Sequence, residues 1–209
     1  MKLPLVTYYE PIYHAGEMQG KPWPTSSMEG PLLSCSPCPQ DWQKIARLGD
    51  VPHWEIIPRK KLQVVNFRKL KGQEKLEWIT AAQRAGLIQP GYTFRYSVYH
   101  EDEVNYGYAS TRAQAEKETE EKETIRKQKT WIATAKLRKY WYGSCKGEIS
   151  PFFVLDAAFS KLVQDHKLKV SGILWDDRYE PHNLSAPRLG IFPIRIATVD
   201  RRHKHILLK

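Results

Sequence analysis

An α+β fold, with a mixed and mostly antiparallel central sheet, two or three packed helices and one exposed charged helix, is predicted by three features of the chain. Residues 93–100 alternate aromatic and polar side chains, and residues 104–109 resume a β-prone run after the acidic stretch Glu101-Asp102-Glu103, which is the pattern of a β-hairpin. Phe152, Leu155, Phe159, Leu162 and Val163 follow Ser150-Pro151 at helical spacing, the stripe of a buried helix ending near His166. Residues 111–126 are nearly all Ala, Glu, Lys, Gln, Arg and Thr, so a helix there has little to bury and lies on the surface.

The remaining elements are read in chain order. Residues 3–9 are short, apolar and β-prone. The Pro- and Gly-rich stretch near 14–39 is expected to be a long loop, with a brief strand at 32–34. Trp42, Ile45, Ala46 and Leu48 predict a short helix over 39–48 that Gly49 stops, and residues 54–57 and 62–67 read as strands. Leu76, Ile79 and Ala82 predict a helix over 73–84 ending at Gly86. Residues 131–142 alternate again and are expected to form a strand with a basic outer face. A short strand over 170–175, a Pro- and Asn-containing loop, and a last strand over 191–198 precede the basic tail Arg201-Arg202-His203-Lys204-His205.

Hydrophobic residues make up 41% of the 209, with seven Trp and eleven Tyr, which is enough for a packed interior. A single domain over 1–209 is expected, since this length fits one core better than two. The first ten residues lack a basic start and an unbroken apolar run, and no window approaches the roughly 20 apolar residues of a membrane span, so a cytoplasmic protein is expected. Three cysteines do not make a disulfide framework for a chain this long.

The balance of 33 Lys and Arg against 23 Asp and Glu, a formal charge of +10, favours an anionic partner: nucleic acid, a nucleotide or an acidic protein surface. Three clusters place chemistry beside predicted strands. In the first, His14 at a strand end can hydrogen-bond a ribose hydroxyl, and Gly16 allows a ligand to approach the backbone. Ser34 and Ser36, two residues apart on an extended segment, point the same way; all of these groups also read as ordinary solvent-facing loop residues. In the second, a strand delivers Trp175, Asp176 and Asp177 to its end, and Ser185 and Arg188 return on a loop stiffened by Pro187. A carboxylate there can stabilise a cationic sugar transition state and Arg188 can hold a phosphate, or the two Asp simply cap a turn. The third, Cys35-Ser36-Pro37-Cys38, has the spacing of half a zinc site but no second pair, so no metal site is assigned.

The order Tyr13-His14-x-Gly16, then Ser34-x-Ser36, then a late strand bearing an acidic residue, resembles the layout of the ADP-ribosyltransferases over about a tenth of the chain. The resemblance implies a transferase that binds NAD and acts on nucleic acid or protein. His14 would meet the ribose, with Gly16 beside it, Ser34 and Ser36 would line the nicotinamide pocket, Asp176 or Asp177 would be the catalytic carboxylate, and Arg188 would hold the diphosphate. The chain departs from that pattern in lacking an acidic-x-acidic third motif, in offering Asp where Glu is usual, and in the prolines that interrupt the segment around Ser34.

Two other classes compete with it. Lys136, Arg138, Lys139, Tyr140 and Tyr142 interleave cations and aromatic rings in a form suited to phosphate contacts and base stacking, as in a non-enzymatic nucleic-acid-binding or ribonucleoprotein subunit. The charged helix over 111–126 would serve a phage or mobile-element protein that docks on a cellular complex. A phosphate-binding Gly-rich loop with Lys-Ser/Thr, a G-x-G-x-x-G turn and a paired-His metalloprotease helix are all missing from the sequence, which removes those reaction classes.

Overall fold

A computed structural model of the chain describes residues 3–16, 30–40, 52–100, 103–166, 169–179, 184–192, 195–200, 202 and 204–208. Among them are twelve strands and four α-helices, and parallel and antiparallel pairs are mixed, as the α+β class requires.

The strands form three sheets. The largest runs in the order β1 (Leu5–Tyr8), β5 (Leu62–Asn66), β9 (Gly172–Tyr179), β10 (Leu184–Ile191) and β3 (Leu33–Cys35), and its one parallel pair is β5 with β9. The second runs β11 (Ile196–Asp200), β12 (His205–Leu208), β4 (His53–Pro58) and β2 (Ile12–Ala15), with β12 and β4 parallel. Backbone bonds between Tyr13 and Ser36, at 2.9 and 2.7 Å, join these two sheets. The third, β7 (Glu103–Ala109), β6 (Ile88–His100) and β8 (Arg126–Ala133), is wholly antiparallel and contains the expected hairpin.

Alternation along the strands decides the layers, because a strand buried on both faces must be apolar at every position. In β5, Val64 joins Ile12, Leu33, Trp54, Ile56, Leu174 and Leu189 in a core between the first two sheets. Its neighbour Val65 turns the other way, onto a larger core built from the helices α1 (Gly72–Arg84), α3 (Ala135–Tyr142) and α4 (Val154–Asp165). There Phe67, Trp78 and Phe159 meet edge to face with ring centroids 5.4 to 5.6 Å apart, the arrangement that aromatic quadrupoles favour. A third, small core of Tyr96, Ala109, Ala115 and Ile125 lies where α2 (Arg112–Glu118) covers one face of the third sheet.

Several expectations are corrected. The segment 131–142 is not one strand: β8 stops at Ala133, and Thr134, whose hydroxyl accepts from Leu137 N at 3.3 Å, starts α3, which Gly143 ends in the left-handed conformation at φ 72°. The exposed helix near 111–126 is reduced to α2. Thr111 caps it, but Thr119 donates to Ser97 O at 2.7 Å and Thr124 accepts from Ser97 N at 3.2 Å, so the chain returns to β6 and β8 begins at Arg126. The loop expected after Trp175 is strand: Asp176 and Asp177 lie in β9, opposite Pro187 and Ala186 of β10. Pro187 is tolerated there because β3 pairs only with Leu189–Ile191, so beside Pro187 β10 is an edge among the described residues. The expected last strand over 191–198 divides between the end of β10 and β11, and the tail supplies β12. The turn at 150–153 delays α4, which starts at Val154 rather than beside Ser150-Pro151. The brief strand expected at 32–34 is present as β3, and β2 reaches Ala15, inside the loop expected near 14–39. The helix expected over 39–48 lies outside the described residues beyond Gln40, as does the turn at Glu101-Asp102.

Candidate functional site

The structure brings together three side chains of the first two predicted clusters. β2 presents His14 opposite Trp54 of β4, and Trp54 Nε1 donates to Gly16 O at 3.0 Å while Gly16 N donates to Pro52 O at 2.8 Å. Gly16 closes this end of the ladder at φ 124°, a conformation that a residue with Cβ resists. His14 Nδ1 lies 2.6 Å from Ser34 O; a carbonyl oxygen only accepts, so Nδ1 carries the hydrogen. On the same residue Ser34 Oγ accepts from Arg188 Nε at 2.7 Å, across 154 positions of sequence.

Arg188 lies in β10 opposite Trp175, not on a loop, and is 3% exposed, with its guanidinium 5.7 Å from the Trp175 ring centroid. A guanidinium so enclosed holds Ser34 and Trp175 in register, which is a different task from gripping a diphosphate at the surface. Gly190 makes the arrangement possible, since a Cβ there would stand 2.6 Å from Leu32 Cδ1 and 2.8 Å from the Trp175 ring. Trp175 Nε1, also buried, has no hydrogen-bond partner among the described residues. Ser36 Oγ accepts from Cys38 N at 3.0 Å within a local turn. The side chains of Asp176 and Asp177 lie outside the described residues. Cys35 is buried with Sγ 3.5 Å from Leu33 O, and the described residues hold no group of three His, Cys, Asp or Glu fit for a metal.

The basic and aromatic set predicted on one strand is instead wound around α3, where most of its members have structural partners. Lys136 Nζ donates to Ala85 O at 2.8 Å, and Arg138 donates to Ala133 O at 2.9 Å and Cys145 O at 3.2 Å. Tyr140 pairs with Ser160 Oγ at 3.0 Å in the core, and burial raises its hydroxyl far above the ordinary 10.0. Tyr142 donates to Glu148 O at 2.6 Å; burial and then the Glu148 charge raise its pKa. Lys139 is exposed.

The third sheet carries a site that these readings missed. Residues directly opposite in an antiparallel ladder share a face, so Arg95 stands with Arg126 on β8 and Tyr108 on β7, and Ser97 with Tyr106. This face is turned away from Phe94, Tyr96 and Val98, which pack beneath α2. The Arg95 guanidinium lies 3.5 Å from the centroid of Tyr106. Tyr108 meets Phe152 edge to face at 4.6 Å, and Phe152 is 54% exposed. On the edge strand β8, Lys127 stands 4.1 Å over the Tyr92 ring, and Arg126, Lys127 and Lys129 are exposed.

Tyr106, Tyr108 and Phe152 line an open groove of about 680 Å³ that runs between this sheet, the start of α3 and the segment 148–154. Glu148 lines it too, bonded to Ser110 Oγ. The alternation over 93–100 pointed to the sheet, but the opposing strand that places Tyr106 and Tyr108 beside Arg95 depends on register. No helix among the described residues is long and apolar enough to cross a membrane. Comparison with protein-family models, with curated proteins and with solved structures finds no match to this chain.

Proposed function

We propose that this chain binds nucleic acid on the sheet β6–β7–β8. The reading is carried by the pairing of cations with tyrosines on this sheet, Arg95 over Tyr106 on the side of the groove and Lys127 over Tyr92 on the other side. A ring held by a cation on one side is ordered at little further entropic cost, and its other side is available to a base. Stacking of that kind contributes about 1 to 3 kcal/mol per base. Arg126, Lys127 and Lys129 on the adjoining edge supply phosphate contacts, and the formal charge of +10 supports association with a polyanion. The test is equilibrium binding of a mixed-sequence oligonucleotide across a salt series. Affinity is expected to fall steeply with salt, and replacing Arg126, Lys127 and Lys129 together by Ala should reduce the slope by about two. No binding at low ionic strength would refute the reading.

A second reading, an NAD-binding transferase of the ADP-ribosyltransferase kind acting on nucleic acid or protein, is favoured by one observation: His14, Ser34 and Arg188, far apart in sequence, meet. The enclosure of Arg188 weighs against it in the form predicted, because the guanidinium is already engaged. In this reading NAD, present at a hundred times its dissociation constant, stabilises the fold by about 2.7 kcal/mol. A melting temperature unmoved by millimolar NAD removes it.

A further inference from the structure

We propose that the groove receives one unpaired base of a single strand, and that Glu148 makes guanine the preferred one; the inference rests on the nucleic-acid reading above. Shape argues for an unpaired base. A protein reads duplex DNA by inserting a helix or a ribbon into a groove of the nucleic acid, whereas here the concavity belongs to the protein. Its volume of about 680 Å³ suits a small planar guest. Phe152 and Tyr106, 54% and 39% exposed, are large aromatic residues facing water around one opening, with Tyr108 against Phe152, and an extruded base covers such surface with a matching ring.

Charge divides the nucleotide between two places. Glu148 in the groove repels a phosphate, and Arg138, the guanidinium of the lining, donates to the carbonyls of Ala133 and Cys145. Arg126 likewise donates to Glu123 O and Ile125 O, while Lys127 and Lys129 stand exposed on the β8 edge. The backbone therefore follows that edge while the base points inward. Ser110 occupies one acceptor position of the Glu148 carboxylate, which has about four. Guanine offers two adjacent donors, N1–H and N2–H, on its pairing edge. Adenine and cytosine set a ring-nitrogen acceptor beside their amino group, and thymine sets carbonyls on both sides of N3–H, so a carboxylate accepts guanine best.

The experiment is fluorescence anisotropy with four labelled probes at low salt: a short oligothymidylate, the same strand with one central guanine, the same with inosine in place of guanine, and the duplex of the guanine strand. The guanine strand is expected to bind about tenfold tighter than the duplex and the inosine strand, since inosine lacks the 2-amino donor and one charge-assisted hydrogen bond contributes about that factor. Phe152→Ala, at an exposed position that leaves the core intact, should weaken single-strand binding at least about fivefold. E148Q should abolish the difference between guanine and inosine. Binding of no probe overturns the nucleic-acid reading itself. Equal affinity for strand and duplex, or indifference to Phe152→Ala, overturns the groove as a base site while leaving that reading in place. Equal affinity for guanine and inosine overturns the role of Glu148.

Discussion

Single atoms decide much of this structure where backbone and rings are in contact. A Cβ at Gly107 would lie 2.2 Å from the Tyr96 ring, and one at Gly190 within 2.8 Å of Trp175 and Leu32. Neither ring has room to withdraw, since Tyr96 and Trp175 are both buried. Gly190→Ala is therefore expected to lower stability by about 1 to 3 kcal/mol, read as a shifted urea midpoint with an unchanged slope. Tyr140 gives a prediction in pH. Burial raises its folded pKa above the 10.0 of the unfolded chain, so the folded state keeps a proton that the unfolded state releases. The contribution is whole below pH 10 and is lost as pH rises further, so the urea midpoint should fall above pH 10. Tyr140→Phe, which cannot ionise, should fall less steeply there. At neutral pH it should cost about 1 kcal/mol through the lost bond to Ser160.

Elements whose periodicity and stop signals agree were legible in the sequence, and those defined by a distant partner were not. The helix over 73–84 and the hairpin over 93–109 emerged close to prediction because periodicity and Gly86 speak locally. The run 131–142 misled because Trp131, Ala133, Ala135 and Leu137 alternate, although Leu137 and Trp141, four apart and both buried, also mark a helix face. The signals that decide between them, a Thr134 cap and a Gly143 stop, are present in the sequence. Thr134→Ala should cost about 1 kcal/mol, more if the hydroxyl's bond to Gly86 O at 2.7 Å is counted, and circular dichroism should show a loss of helix confined to α3. The groove was partly legible, since its tyrosines fall in the alternating hairpin. What brings Phe152 onto Tyr108 is tertiary packing, on which spacing is silent.

At the scale of the whole molecule, each of the two larger sheets is assembled from segments far apart in the chain. Arg188 reaches Ser34 across 154 positions, and β12 lies between β11 and β4. Ending the chain at Asp200 would remove the middle of that sheet, so such a variant is expected to lose β11 and β4 as ordered strands and to become sensitive to protease there, measurable by limited proteolysis. The order of synthesis gives this pairing a further consequence. β4 emerges from the ribosome with one side available to β2, but its other side has no companion until about 150 residues more have been made, which takes about 7 to 30 seconds. For that interval Trp54 and Ile56 belong to a half-built layer with an open flank, so a nascent chain stalled before His205 should recruit chaperones where the finished one does not.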